Sequence, residues 1–561
     1  MSRFVKICAA VLVTVFLFGC GNSDIAPSET DSPKREPLTH TLSGTPIPVI
    51  ENDGNYLSTA SVDTAQEGKI VYSVNNESAG YISGTRVQEA GSSSAQVTAV
   101  ANIGYKFLHW SDGITDATRS GDSKEGVYTA IFDYEVLDFP IMVINTKDSA
   151  EILSKEEYLS STLSLIACED EYVLDNVTMG IRGRGNFSWS FDKKSYKFKL
   201  DKKENILGIG NGKERTWVLL ANHCDISLLR NHLAMELGRS FDGITWEPAS
   251  VSVDVYLNGE YIGVYLLAEE IKISGDRVNI SDTDQNAIDT GYLLEMSNYA
   301  KRGGIHTAGR AHNIHTQLSD NEEIKDAQKK YIKGYVDECY KAMKNGDYTL
   351  VNELIDLDSF IHAYFLEEVT KNLDSHYDNF YIWKDVGTKL HFGPYWDFDN
   401  SLGNANKGAE EYSGIFVGNG KGSDNSTVNW FPLAMLHEWY RQMVVDEWDR
   451  IYPELQQVPE YILSIGEDGS DSYERNFVRW PIFGTQQNRE TEKINSLKTY
   501  TEHYTYLAEW FENRIEWLNE AFHDEKFVTE GKGIERVEWL RAIAAEESLW
   551  EAEQNKNNIE E

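Results

Sequence analysis

The 561-residue chain carries 90 Asp and Glu against 52 Lys and Arg, a formal net charge of −38, with 41% hydrophobic and 12% aromatic residues. That length exceeds one ordinary core and predicts a large domain with smaller ones, and the apolar content is ample to fill them. The charge excludes a nucleic-acid backbone or an anionic membrane surface as the main partner, because either would be repelled over most of the surface.

Arg3 and Lys6 precede an apolar run, Ile7 to Phe18, that is too short for an ordinary transmembrane helix and reads as an export signal. Leu17-Phe18-Gly19-Cys20 then resembles the lipobox of bacterial lipoproteins, which implies a signal over 1–20 and lipidation of Cys20. The expectation is an exported protein, periplasmic or on the cell surface, that meets the membrane through its N-terminal lipid only. Residues 21–65, rich in Ser, Thr, Asp, Pro and Gly, suit a flexible tether. Cys168, Cys224 and Cys339 have no C-x-x-C spacing and read as buried small hydrophobes, with one pair at most.

Over 66–136 short alternating runs separated by Gly, Asn and Ser predict a small all-β module. Its Gly104-Tyr-Lys-Phe-Leu-His-Trp-Ser-Asp-Gly segment resembles the divergent internalin-type B repeat of bacterial surface proteins, implying a stalk or adhesive module; the simpler reading is a spacer with Trp110 in its core. The main domain is placed at 137–523. Its first half is strand-rich, with Asn258-Gly259 as a hairpin signal, and is interrupted by a helix with Asp225 as candidate N-cap and Gly238 as stop. Its second half is helical: Glu322 to Lys344, Asp358 to about Asn372, Pro432 to Asp449 and Thr491 to Phe522. An acidic tail at 524–561 carries one more helical pattern, Ile534 to Glu553. A β-rich lobe followed by a helical lobe is an α+β, two-lobed architecture.

The stretch Lys371 to Gly403 concentrates the chemistry. Asp374 and Asn379 stand in a D-x-x-x-x-N spacing at a helix end, two strand-like runs follow, and the stretch closes on Asp397 and Asp399 between large aromatics. Phosphoryl transfer needs those parts: one carboxylate to orient or deprotonate the acceptor hydroxyl, an amide and an acid for a metal bridging nucleotide phosphates. A hard oxygen site that leaves room for phosphate suits Mg²⁺. Upstream, Arg182 and Arg184 interleave with Gly183 and Gly185, glycines that would let the backbone approach a phosphate ligand. The next strand places Tyr196, Phe198 and Leu200 on one face and Lys197 and Lys199 on the other. One lysine could reach the phosphates; otherwise the pair is a solvated face. Arg230, Glu236 and Glu269 could pair with that lysine or close structural salt bridges.

The blocks I-R-G-R-G-N-x-S-W, K-K-S-Y-K-F-K-L, W-V-L-L-A-N-H-x-D-x-S-L-L-R-N, V-Y-L-N-G-E-Y-I-G-V-Y-L-L-A-E, G-Y-L-L-E, N-L-D-S-H-Y-D-N-F-Y and W-D-F-D-N-S-L-G resemble, in order, the CotH kinase family of atypical protein kinases. The resemblance implies a kinase-like fold that transfers the ATP γ-phosphate, with Mg²⁺, to protein Ser or Thr. It implies Asp374 as catalytic Asp, Asn379 and Asp397 as metal ligands with Asp399 assisting, and Lys199 before Lys197 at the nucleotide. No G-x-G-x-x-G loop and no H-R-D triplet is present, and Asn372 stands in the place of the His. The turn from Arg182 to Asn186 is therefore expected to hold the phosphates. The competing reading is a catalytically silent kinase-like scaffold or adhesin; a metal-assisted hydrolase leaves the Arg-Gly turn without a task.

Overall fold

Strand-forming runs fill the first half of the chain and helical ones the second, and the computed structural model follows that division. It describes residues 67–535 except 77–78, 92–95, 103–104, 121–123, 135–137, 282–283, 285, 298–304, 306, 308–314, 319–323, 376–377 and 423–429. The expected signal, tether and acidic tail helix lie outside the described residues.

Seven short strands form the first module: β1 (Lys69–Val74), β2 (Gly80–Gly84), β3 (Val87–Glu89), β4 (Gln96–Ala101), β5 (Tyr105–Trp110), β6 (Thr118–Ser120) and β7 (Gly126–Tyr134). They make two sheets, in orders β3-β1-β7-β5 and β2-β4-β6. Trp110 is fully buried in their shared core and donates its indole N–H to Asp116 O at 3.0 Å, so the aromatic anchor expected from the sequence is there.

The strand-rich half of the main domain closes on itself. Strands β8 (Ile141–Thr146), β9 (Leu159–Ile166), β10 (Leu174–Arg184), β11 (Ser195–Glu204), β12 (Glu214–Leu220), β13 (Ser250–Leu257) and β14 (Glu260–Glu269) form a barrel in the order β10-β11-β12-β14-β13-β8-β9. Closure removes the exposed edges of an open sheet. Asn258 and Gly259 both take positive φ, 52° and 85°, as a two-residue hairpin between twisted strands requires. Period-2 alternation sends Tyr196, Phe198 and Leu200 into the barrel core, leaving Lys197 half-buried and Lys199 exposed outside it. Strand β12 is apolar on both faces: Trp217 and Leu219 fill the barrel, while Val218 and Leu220 pack outward with Leu266, Trp246, Tyr381 and Trp396.

That outer layer belongs to a second sheet, β16-β15-β17-β18, built from β15 (Tyr292–Ser297), β16 (His315–Leu318), β17 (Phe380–Lys384) and β18 (His391–Tyr395). Around it lie helices α1 (Arg230–Ser240), α2 (Asp326–Asn345), α3 (Tyr348–Leu354), α4 (Leu357–Thr370), α5 (Trp430–Met435) and α6 (Glu438–Leu455). They continue with α7 (Val458–Asp468), α8 (Ser470–Arg479), α9 (Glu492–Ser496), α10 (Tyr500–Phe522) and α11 (Phe527–Glu530). The molecule is thus α+β, β-rich first and helical after. Of the described cysteines, none is in a disulfide; Cys224 and Cys339 are buried and Cys168 half-buried.

Three helix expectations shift. Asp225 does not sit at the N-cap: its carboxylate folds back to accept from Ser227 and from Arg230 N at 2.9 Å, so α1 begins five residues later. Nor does Gly238 stop α1, which runs to Ser240. The expected Pro432 to Asp449 helix is broken at Leu436 and His437 into α5 and α6, the expected Thr491 to Phe522 helix is broken at Leu497 to Thr499 into α9 and α10, and α7 and α8 are additional helices.

Helix α4 is buried on all sides, as its apolar sequence requires. Glu368 near its end accepts from Phe416 N (2.6 Å), Gly418 N (2.8 Å) and Arg514 Nη2 (2.6 Å), and Arg514 also donates to Tyr412 O and Gly414 O. Both charges are fully buried, and the pair ties 412–418 to the core. Arg514→Ala leaves Glu368 charged and short of a partner; it is expected to destabilise the fold by about 3–5 kcal/mol, read as a lowered denaturation midpoint.

Candidate active site

Helix α4 ends at Lys371, whose φ of 48° turns the chain out of the helix. A short turn follows in which Asn372 Oδ1 accepts from Asp374 N at 3.1 Å and Asp374 O accepts from Asp378 N at 3.1 Å. Asn379 then leads into β17, and the hairpin returns through β18 to Asp397. Both residues adopt the left-handed region, φ 55° and 71°, which Asn and Asp tolerate better than other non-glycine residues. Asn379 Nδ2 donates to Asp397 Oδ2 at 3.3 Å across the open end of that hairpin.

The start of α1 and the segment before it hold the second acidic loop. Asn231 Oδ1 accepts from Phe398 N at 2.7 Å, and Arg230, itself locked to buried Asp225 at 2.5 Å, donates to Leu402 O at 3.2 Å. Asn404 Nδ2 bridges Asp399 O (2.7 Å) and Cys224 O (2.8 Å). The peptide groups around the two acids are therefore tied to the start of α1 and to the segment before it.

Together these elements enclose a cleft of about 480 Å³. Asp374, Asn379, Asp397 and Asp399 line it, as do Arg184 and Gly185 from the end of β10 and the turn after it. Arg184 stacks over the Trp396 ring, 4.8 Å from its centroid. Glu295 and Asp378 add two more acids. Burial, and then repulsion by Asp374, holds the Asp397 carboxyl above the ordinary range; burial and then Asp397 hold Asp399 well above it. Burial raises Asp378 to about 6.

The structure leaves four expected residues out of the cleft wall. Arg182 donates to Lys155 O and lies over Tyr158. Lys197 pairs with Glu270, and Lys199 is exposed. Glu269 accepts from Ala249 N at 3.0 Å and stands 3.7 Å from Arg277, so it closes a structural contact. The reason is geometric: the outward faces of β10 and β11 are not the cleft, which is bounded by strand ends and the turns after them. Gly183 is likewise a packing glycine, since a Cβ there would meet the Trp189 ring at 2.3 Å, while Gly185 at φ 93° does line the cleft.

Residues outside the sequence reading also line the wall: His223, Asn400, Asn488 and Arg489. Asn400 Nδ2 donates to Asp374 Oδ2 at 3.1 Å, and Arg489 Nη1 stands 3.8 Å from Asp374 Oδ1. Asn400 follows Asp399 directly and was within reach of a sequence reading; Arg489 lies in a polar Gln-Gln-Asn-Arg-Glu loop with no local signal.

Among the described residues no three His, Cys, Asp or Glu side chains form a ready metal cluster. Asn379 and Asp397 stand side by side, with the amide nitrogen 3.3 Å from the carboxylate, and their hard oxygens would suit a Mg²⁺ that keeps waters and phosphates as its remaining ligands.

The candidate site is thus a cleft crowded with acids in a chain that is β-rich first and helical after. The family model described as CotH kinase protein matches residues 181–518, and the chain belongs to that family. The model described as divergent InlB B-repeat domain matches residues 70–135. A search of curated proteins gave no match.

The raised carboxyls predict a pH dependence. Asp378 titrates near 6 in the fold against 3.8 ordinarily, so the folded chain keeps a proton that the unfolded chain has lost between those values. Its contribution to stability is full below the ordinary value and is lost as pH rises through about 6. Asp378→Asn is expected to flatten that part of the curve of thermal midpoint against pH.

Proposed function

We propose that the protein is an ATP-dependent protein kinase with a two-lobed, kinase-like arrangement, transferring the γ-phosphate to Ser or Thr of a protein acceptor. The observation that carries this reading is the convergence of Asp374, Asn379, Asp397 and Asp399 on one cleft with Arg184 at its wall. Asp374 is held by Asn400 at the cleft surface, where it can orient an acceptor hydroxyl and take its proton. Asn379 and Asp397 would hold Mg²⁺, with Asp399 beside them. The ion, when bound, neutralises charge on the nucleotide phosphates. Arg184, which lines the cleft beside Gly185, offers a guanidinium to the phosphates. A silent scaffold gives no reason to crowd five acids around two arginines in an open cleft.

Incubation of the purified chain with γ-labelled ATP, Mg²⁺ and a Ser-rich acceptor is expected to label protein. Asp374→Asn and Asp397→Asn are each expected to lower the rate about 10²–10⁴-fold; labelling that matches the parent protein in both variants contradicts the assignment.

The N-terminal lipobox-like tetrad and the B-repeat module support an exported protein tethered at Cys20. Among the described residues no helix is long and apolar enough to cross a membrane. Cys20→Ser is expected to abolish metabolic labelling with a fatty acid; retained label contradicts the tether.

A further inference from the structure

We propose that Arg489 is a further catalytic residue of this cleft, which exchanges its contact with Asp374 for the phosphoryl group as that group is transferred; the inference rests on the kinase reading above. Among the described residues, the cleft wall carries five acids, Glu295, Asp374, Asp378, Asp397 and Asp399, and two cationic side chains, Arg184 and Arg489. Arg184 comes from the barrel and lies on Trp396. Arg489 comes from the loop between α8 and α9 and is the cation beside Asp374.

The geometry of that contact differs from the two tightest buried arginine pairs of the same molecule. Asp225–Arg230 and Glu368–Arg514 close at 2.5 and 2.6 Å with both partners buried. Arg489 Nη1 stands 3.8 Å from Asp374 Oδ1 with its side chain 33% exposed. That separation is beyond a hydrogen bond, and water-exposed pairs contribute little to stability.

The backbone beneath it is fixed. Arg489 O accepts from Asn406 N at 3.0 Å, and Glu490 Oε2 accepts from Gln487 N (3.0 Å) and Asn488 N (2.7 Å). Asn488 Nδ2 donates to Asn400 Oδ1 at 3.1 Å, and Asn400 in turn donates to Asp374. A guanidinium is thus presented from a braced loop next to the carboxylate expected to receive the hydroxyl proton. A planar guanidinium matches phosphoryl oxygens in pairs, and it counts most when aimed at charge that develops during the step.

In that step the bond between the γ-phosphorus and its bridging oxygen breaks, the electron pair leaving with ADP. A bond forms between the acceptor hydroxyl oxygen and phosphorus, and the hydroxyl proton passes to Asp374. Arg489 contacts the equatorial oxygens while both bonds are partial, as an arginine supplied in cis does in other phosphoryl transfers.

Calorimetric titration with Mg·ADP, alone and with aluminium fluoride as mimic of the transferring phosphoryl group, separates this role from a structural one. Arg489→Ala is expected to bind Mg·ADP within about threefold of the parent but the Mg·ADP–aluminium fluoride combination about 10²-fold more weakly, with transfer falling about 10²–10³-fold. Arg489→Lys, which keeps the charge without the fork, is expected to recover only part of that loss. Unchanged affinity for the mimic, or an equal loss with Mg·ADP alone, overturns the inference and leaves the kinase reading standing. A parent protein that binds neither ligand overturns the kinase reading and this inference with it.

Discussion

Like charges crowded in a half-buried cleft are the constraint on which the site depends. Burial first, and then the neighbouring acids, hold the Asp397 and Asp399 carboxyls above the ordinary range, so the cleft holds carboxyls under electrostatic pressure. Such an arrangement gains stability from a cation or a set of donors and loses it without them. The fold answers with anchoring: Phe398 N and Leu402 O are bonded to Asn231 and Arg230 at the start of α1, and Asn404 ties Asp399 O to Cys224 O in the segment before it. Repulsion is stored in place and remains available for binding.

That anchoring also explains why the buried ion pairs lie where they do. Asp225–Arg230 fixes the start of α1 and, through Leu402 O, the acid loop; Glu368–Arg514 fixes the last turn of α4, and Asp374 follows Glu368 by six residues. Single-partner losses at such pairs are costly, so both acid loops inherit the rigidity of the core. Two residues in left-handed conformation, Asn379 and Asp397, sit at the junction, and strain of this kind persists where the surroundings over-determine it.

Much of the site was legible in the sequence because its parts are local. Asp374, Asn379, Asp397 and Asp399 fall within one helix-end and hairpin pattern, and Arg184 follows from its glycine-rich turn. Alternation likewise placed Tyr196, Phe198 and Leu200 inward. What alternation could not say is which outside becomes the cleft: Lys197, Lys199 and Arg182 do face out of the barrel, but on strand faces away from the cleft wall. The parallel pairing of β8 with β13 that helps close the barrel joins residues more than a hundred apart, which no local pattern reveals. Arg489 reaches Asp374 from a loop farther along the chain whose composition marks only a polar connection.

The central claim is that these acids form a site for a nucleotide together with a divalent cation. The most direct measurement is the thermal midpoint of the full chain with Mg²⁺ alone, ATP alone and both. A ligand at a hundredfold excess over its dissociation constant adds about 2.7 kcal/mol to stability. The account predicts a clear upward shift only when nucleotide and cation are present together, and its loss in Asp397→Asn. No shift with both ligands, or the same shift in the variant, would contradict it.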